Sequence, residues 1–147
     1  FLSNSSHVVD LAFFLGGKPK KIETFTEGAS RLSWHPASSV FCGSGVTEEK
    51  ALFSYYANWV GPGGWGISLT TRKNTLILKP LEELQVLTQE DANLRALKID
   101  DELDKKYKPG LYKQVEAFIY EDKTDLCSIS SQVEAMNIFK KISNYIQ

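Results

Sequence analysis

Two residues near the start of the chain, His7 and Asp10, have the side chains that acid–base chemistry requires. His7 falls in the first turn of a predicted helix, where the positive end of the helix dipole disfavours a protonated imidazole. A neutral imidazole is what a general base needs near neutral pH. Asp10 follows one turn later, within reach of the ring. The pattern predicts a general base with a partner; the alternative is a surface helix whose histidine only packs against a loop.

The helix that positions His7 is predicted from its ends and its apolar face. Good N-cap residue types precede it, and apolar residues recur at helical spacing after it. The caps are Ser3, Asn4, Ser5 and Ser6, and the apolar residues are Val8, Leu11, Ala12 and Leu15. Gly16-Gly17 fits a C-terminal cap, and Pro19 forbids continuation.

Length and charge limit the possible partners. A chain of 147 residues with 42% hydrophobic residues is large enough for one domain with a core. Its net charge is −1, without a basic stripe, which argues against nucleic acid and anionic membranes as partners. No apolar run is long enough to cross a bilayer.

The chain begins with Phe1, so we expect it to be a piece of a longer protein; no targeting signal is visible in it, and a missing N-terminal segment could carry one. Cys42 and Cys127 form no C-x-x-C pair. We expect two free, buried thiols and a cytoplasmic location, although a single bridge between them stays open.

The middle of the chain alternates as strands do. Strands are predicted at 20–27, from 40, at 51–60, from 65 to 69, at 75–78 and at 84–87. Gly61-Pro62-Gly63-Gly64 predicts a hairpin turn between the third and fourth of these strands. Residues 91–108 are charged and predict a loop with some helix.

Two helices are predicted towards the end of the chain. Pro109-Gly110 opens the first, with its apolar residues expected to face inward: Leu111, Val115, Phe118 and Ile119. Ser128 caps the second, with Ile129, Val133, Met136, Ile142 and Ile146 on one face. The fold class is α+β, a mostly antiparallel sheet with helices on one face and the other face free for an oligomer or domain contact.

Other candidate sites are weaker. Gly43-Ser44-Gly45 lacks the third glycine of a phosphate loop and predicts a turn. His35 is interpreted as a loop residue, because two distant histidines without clustered cysteines make a poor metal site. The aromatic residues could stack on a sugar but more often fill a sheet face or a subunit contact; they are Tyr55, Tyr56, Trp59 and Trp65.

Three segments in order resemble one family. They are Ser-His-Val-Val-Asp-Leu-Ala-Phe-Phe-Leu-Gly-Gly (6–17), Tyr-Ala-Asn-Trp (56–59) with Gly-Trp-Gly (64–66), and Lys-Pro-Leu-Glu-Glu-Leu (79–84). The chain resembles the C-terminal domain of the glucose–fructose oxidoreductase, inositol dehydrogenase and MocA family. This implies a substrate-binding and oligomerisation domain over residues 1–147. NAD or NADP would be bound by an N-terminal Rossmann domain absent from this chain, and the substrate would be a sugar, inositol or related polyol.

The resemblance also implies roles for individual residues. In this family the base is often a histidine of the pattern D-x-x-x-H-x-x-D, or else a lysine of the Rossmann domain. The pattern places the histidine on His7 and its second aspartate on Asp10, while Ser3 stands where the first aspartate would be. Ser3, Asn4 and Asp10 would then contact substrate, and no residue of this chain would bind cofactor or metal. Because a serine carries no charge to tune the histidine, the departure at Ser3 puts catalysis in doubt.

Two other functions stay open. The chain could belong to a non-catalytic, ligand-sensing or regulatory relative with the same fold. It could also be a self-associating α+β binding module with an exposed aromatic sheet.

Overall fold

The computed structural model of the protein describes residues 1–122, 124 and 126–145. The chain divides into two compact units, each described here by itself. The first contains residues 1–65 and the described residues from 134 onward, and the second contains residues 66–133. Both are built from antiparallel strands and helices, which confirms the α+β prediction.

The first unit is a three-stranded antiparallel sheet covered on one face by helices. Its strands, in spatial order, are β1 (Pro19–Glu27), β2 (Val40–Thr47) and β3 (Leu52–Asn58). Helix α1 (Ser5–Gly16) and the later part of α4 (Ile129–Ser143) supply the cover. The buried core consists of Phe1, Val9, Ile22, Phe41, Phe139 and Ile142. It stabilises the unit by removing apolar surface from water.

Two glycines in β2 make room for aromatic rings on the covered face. Gly43 lies opposite Tyr55, and Gly45 lies opposite Phe53. A Cβ at Gly43 would lie 2.6 Å from Tyr55 Cε1, and one at Gly45 would lie 2.7 Å from Phe53 Cζ. Gly43-Ser44-Gly45 is therefore extended strand and not the predicted turn, because the missing side chains let the rings of β3 lie flat over β2.

The other face of this sheet is open. Phe25, Cys42 and Tyr56 lie side by side across its three strands. Phe25 and Tyr56 are 67% and 69% exposed, and Leu52 on the same face is 86% exposed. This arrangement, with helices on one face and an apolar row on the other, agrees with the sequence prediction.

The second unit is a four-stranded antiparallel meander followed by helices. Its strands β4 (Ile67–Thr70), β5 (Asn74–Leu78), β6 (Leu84–Thr88) and β7 (Arg95–Leu97) pair in sequence order. Helices α2 (Glu102–Lys106) and α3 (Leu111–Ile119) come next. The three exposed residues of β7 fall in the segment that was expected to be loop and helix.

Several local predictions are wrong. The hairpin across Gly61–Gly64 does not form, because β3 ends one sheet and β4 begins another. The apolar face of α3 does not point inward, since Leu111, Val115, Phe118 and Ile119 are all exposed. The thiols are free, as expected, but Cys127 is exposed and Cys42 only half-buried.

Helix α4 is predicted correctly at its start and only partly along its face. Ser128 Oγ accepts a hydrogen bond of 3.1 Å from Ser131 N, the expected N-cap interaction. Ile142 is fully buried, whereas Ile129 and Val133 are exposed. Ile146 lies outside the described residues. None of the helices in the described part of the chain is long and apolar enough to cross a membrane.

Candidate functional site

Backbone carbonyls satisfy the amide groups in the first turn of α1, so the side chains of Asn4 and Ser5 are not needed as caps. Ser6 N donates to Phe1 O at 3.2 Å, and His7 N donates to Asn4 O at 3.0 Å. Because carbonyls of the preceding turn accept these amide protons, no side-chain cap is needed. Asn4, at the N-cap position, makes no capping hydrogen bond, so the predicted side-chain cap is absent there.

Asn4 instead holds an indole. Trp65 Nε1 donates a hydrogen bond of 3.0 Å to Asn4 Oδ1. The ring of His7 lies against the same indole, with ring centroids 6.1 Å apart and planes tilted by 47°. His7 is exposed and Trp65 is 43% exposed, so both rings border solvent. An exposed imidazole beside a fixed indole can exchange a proton with a bound hydroxyl group.

The neighbouring residue, Ser5, holds a second indole. Trp59 Nε1 donates to Ser5 Oγ at 3.2 Å. Trp59 is half-buried and packs against the core. Two consecutive residues at the start of α1 therefore anchor two of the chain's three tryptophans.

The remaining predicted site residues lie nearby in the chain but do not bond to the imidazole. Ser3 and Asp10 are exposed. Among the described residues, no hydrogen bond or ion pair joins Asp10 to His7. The structure thus brings Asn4 and His7 together through Trp65 and leaves Ser3 and Asp10 open to solvent.

A second histidine lies in an aromatic cluster that the sequence interpretation missed. His35 Nε2 and Tyr145 Oη are 2.8 Å apart, and the tautomer of the imidazole decides which group donates. Trp34 stacks on His35 with ring centroids 5.6 Å apart, and the Trp34 and Trp59 rings meet edge to face with centroids 6.2 Å apart. Burial raises the pKa of the Tyr145 phenol. Tyr145 is 110 residues from His35, so no local pattern could reveal the pair.

Metal and phosphate chemistry find no support in the described part of the chain. No group of three or more His, Cys, Asp or Glu side chains there could hold a metal ion. The Gly43–Gly45 segment cannot cradle a phosphate on its covered face, because the rings of Tyr55 and Phe53 fill that space. The spacing G-x-G-x-x-G does occur, at residues 61–66, but it lies between β3 and β4 and opens no helix, so it lacks the setting of a dinucleotide-binding loop.

Comparison with solved structures finds one similar fold. A levoglucosan dehydrogenase in complex with NADH and levoglucosan superimposes with a TM-score of 0.53 at 15% sequence identity. The match covers 65% of this chain and 30% of that one, so this chain spans less than a third of the dehydrogenase. No family model matches the sequence, and no curated protein matches it. At this identity the likeness establishes the fold.

Proposed function

We propose that this chain is the substrate-side domain of an NAD(P)-dependent oxidoreductase that acts on a sugar, inositol or related polyol. A separate Rossmann domain would bind the cofactor, and residues 1–147 would supply one wall of the substrate pocket. The single observation that carries the proposal is the fold likeness to levoglucosan dehydrogenase. The placement of His7 at the start of α1, beside Trp65, supports it.

In this proposal the nicotinamide supplies the hydride acceptor or donor, and this chain handles the proton. His7 accepts the hydroxyl proton when the substrate is oxidised and returns it when the product is reduced. Asn4 has amide hydrogens left to donate to a substrate hydroxyl while its Oδ1 holds Trp65. Ser3 and Asp10 are exposed and are proposed to bind further hydroxyl groups.

The open sheet face is proposed to contact a second copy of the protein. Phe25, Tyr56 and Leu52 are all mostly exposed there. Phe25, Cys42 and Tyr56 form one row across the three strands, and exposed apolar residues grouped in this way are usual at protein–protein contacts. A homo-oligomer through this face would bury it without obstructing the start of α1, since α1 covers the opposite face of the sheet.

One observation favours a second candidate, a non-catalytic ligand sensor. No carboxylate in the described residues bonds to His7, and Ser3 stands at the position of the family aspartate. A sensor needs the sugar-binding groups but not a base oriented for proton transfer.

Substrate oxidation by the full-length protein distinguishes the two candidates. Nicotinamide absorbance is followed with NAD⁺ or NADP⁺ and a panel of sugars and inositols. Reduction of the nicotinamide supports the enzyme. Sugar binding by calorimetry without reduction supports the sensor, and absence of both sugar and cofactor binding contradicts both.

A further inference from the structure

All three tryptophans and both histidines of the protein are linked by a continuous series of contacts within the first unit. His7 contacts Trp65, which bonds to Asn4. The adjacent Ser5 bonds to Trp59. Trp59 meets Trp34, and Trp34 stacks on His35. We call this the indole strip: Trp65, Trp59, Trp34 and the residues that hold them.

From this strip we propose that the site has a second sugar platform at Trp34 and takes a substrate of at least two linked sugar rings. The reacting ring would lie by His7 and Trp65, and the next ring would lie on Trp34. This rests on the proposed function, because it extends the same site to a disaccharide or glycoside.

The exposure of the strip supports a ligand platform. Trp34 is 68% exposed, yet its ring is fixed by contacts with His35 and Trp59. His35 is in turn fixed by its hydrogen bond to Tyr145, which packs against the core. A large ring that is immobilised and still open to solvent loses little conformational freedom when it binds a ligand.

The chemistry of the strip fits a saccharide. The face of an indole carries partial negative charge, which attracts the partly positive C–H hydrogens on the apolar face of a sugar ring. Hydroxyl and amide groups of Ser3, Asn4 and Ser5 lie along the same turn and can pair with sugar hydroxyls. The groups that the strip offers are indole faces, hydroxyls and an amide, so an uncharged polyhydroxyl ligand suits it better than an anion.

The test measures binding by the full-length protein with its cofactor present. Calorimetry compares glucose with cellobiose, maltose and sucrose, and galactose with lactose. We expect at least one disaccharide to bind about tenfold more tightly than its monosaccharide, the equivalent of ~1.4 kcal/mol. Trp34→Ala should remove this gain and leave the affinity for the monosaccharide unchanged, while Trp34→Phe should keep part of the gain.

Phe118→Ala removes an exposed aromatic ring from α3, in the other compact unit, and serves as the control. It should leave both affinities unchanged, and circular dichroism of each variant confirms folding. If no disaccharide binds more tightly than its monosaccharide, or if Trp34→Ala keeps the gain, the second platform is contradicted and the proposed function stands. If neither sugars nor inositols bind, the proposed function itself fails.

Discussion

The side-chain oxygen of Asn4 accepts its hydrogen bond from Trp65 Nε1 at 3.0 Å and takes no part in capping α1. A residue type that is usually a helix cap here orients an indole next to His7. The amide protons of the first turn are satisfied by backbone carbonyls, which frees the side chain for this role. Asn4 therefore marks the start of α1 and also belongs to the candidate site.

The Asn4–Trp65 bond can be tested by Asn4→Ala. Removing one neutral hydrogen bond costs about 1 kcal/mol of interaction free energy. Under the proposed function, we expect the KM of the full-length protein for a sugar substrate to rise about fivefold. The stability of α1 should change little, because no side-chain cap is lost. Asn137→Ala, on the exposed surface of α4, is the matched control, and an unchanged KM in both variants would remove Asn4 from the site.

Because aromatic rings of β3 lie close to β2, we expect a side chain at Gly43 to destabilise the protein. A Cβ there would lie 2.5 Å from Tyr55 Oη and 2.6 Å from its Cε1, so the ring or the strand must shift. We expect Gly43→Ala to lower the free energy of unfolding by about 1–3 kcal/mol. Gly63→Ala is the control, since nothing lies within 4 Å of its Cβ position. Urea unfolding measures both, and equal midpoints would contradict this packing.

Tyr55 should make stability sensitive to alkaline pH. Burial, with a smaller effect of Cys42, raises the pKa of its phenol from 10.0 to about 12. The folded state therefore favours the neutral phenol. Its stabilising contribution is complete below pH 10 and is lost as the pH rises through about 12, because the unfolded chain ionises first.

Tyr55→Phe tests this dependence. Among the described residues, Tyr55 Oη is the buried side-chain atom without a hydrogen-bond partner, so removing it should not destabilise the protein at neutral pH. The loss of stability between pH 10 and 12 should become smaller. Tyr56→Phe, one residue along on the open face, should leave the alkaline profile unchanged. A Tyr55→Phe profile identical to that of the parent protein would show that the phenol is solvated.

The proposed subunit contact at the open sheet face can be tested by placing a charged residue on that face. In the full-length protein we expect Phe25→Lys to dissociate the proposed oligomer, since a buried unpaired ammonium is costly. Phe14→Lys places the same charge on α1, at a residue that is 83% exposed, and should leave the oligomer intact. Sedimentation velocity gives the masses. An oligomer that survives Phe25→Lys would place the subunit contact elsewhere.

Local patterns in the sequence predicted most elements because they depend on neighbouring residues. The apolar spacing and Gly16-Gly17 located α1, and alternation located β1 and β3, each within about two residues of the observed ends. Because successive residues of a strand point to opposite faces, the predicted strand at 51–60 also implies that Phe53 and Tyr55 share one face and Tyr56 lies on the other, as the burial pattern of β3 shows.

The sequence could not predict which strands pair. The glycines and proline of residues 61–64 indicate a turn. Whether β4 then pairs with β3 as a hairpin or begins another sheet depends on contacts with residues elsewhere in the chain. The contacts of His35 with Tyr145 and of Trp34 with Trp59 join residues far apart in the chain. Amphipathic spacing in α3 predicted an apolar face correctly, yet spacing alone does not say whether another element covers that face.

The turnover of a His7→Ala variant of the full-length protein tests the central claim most directly. We expect kcat to fall by about 10²-fold or more, because a general base is lost, while the Kd for NAD or NADP stays unchanged. His7→Gln should be as impaired, since an amide cannot accept the proton. Unchanged turnover in His7→Ala would show that His7 takes no part in the chemistry.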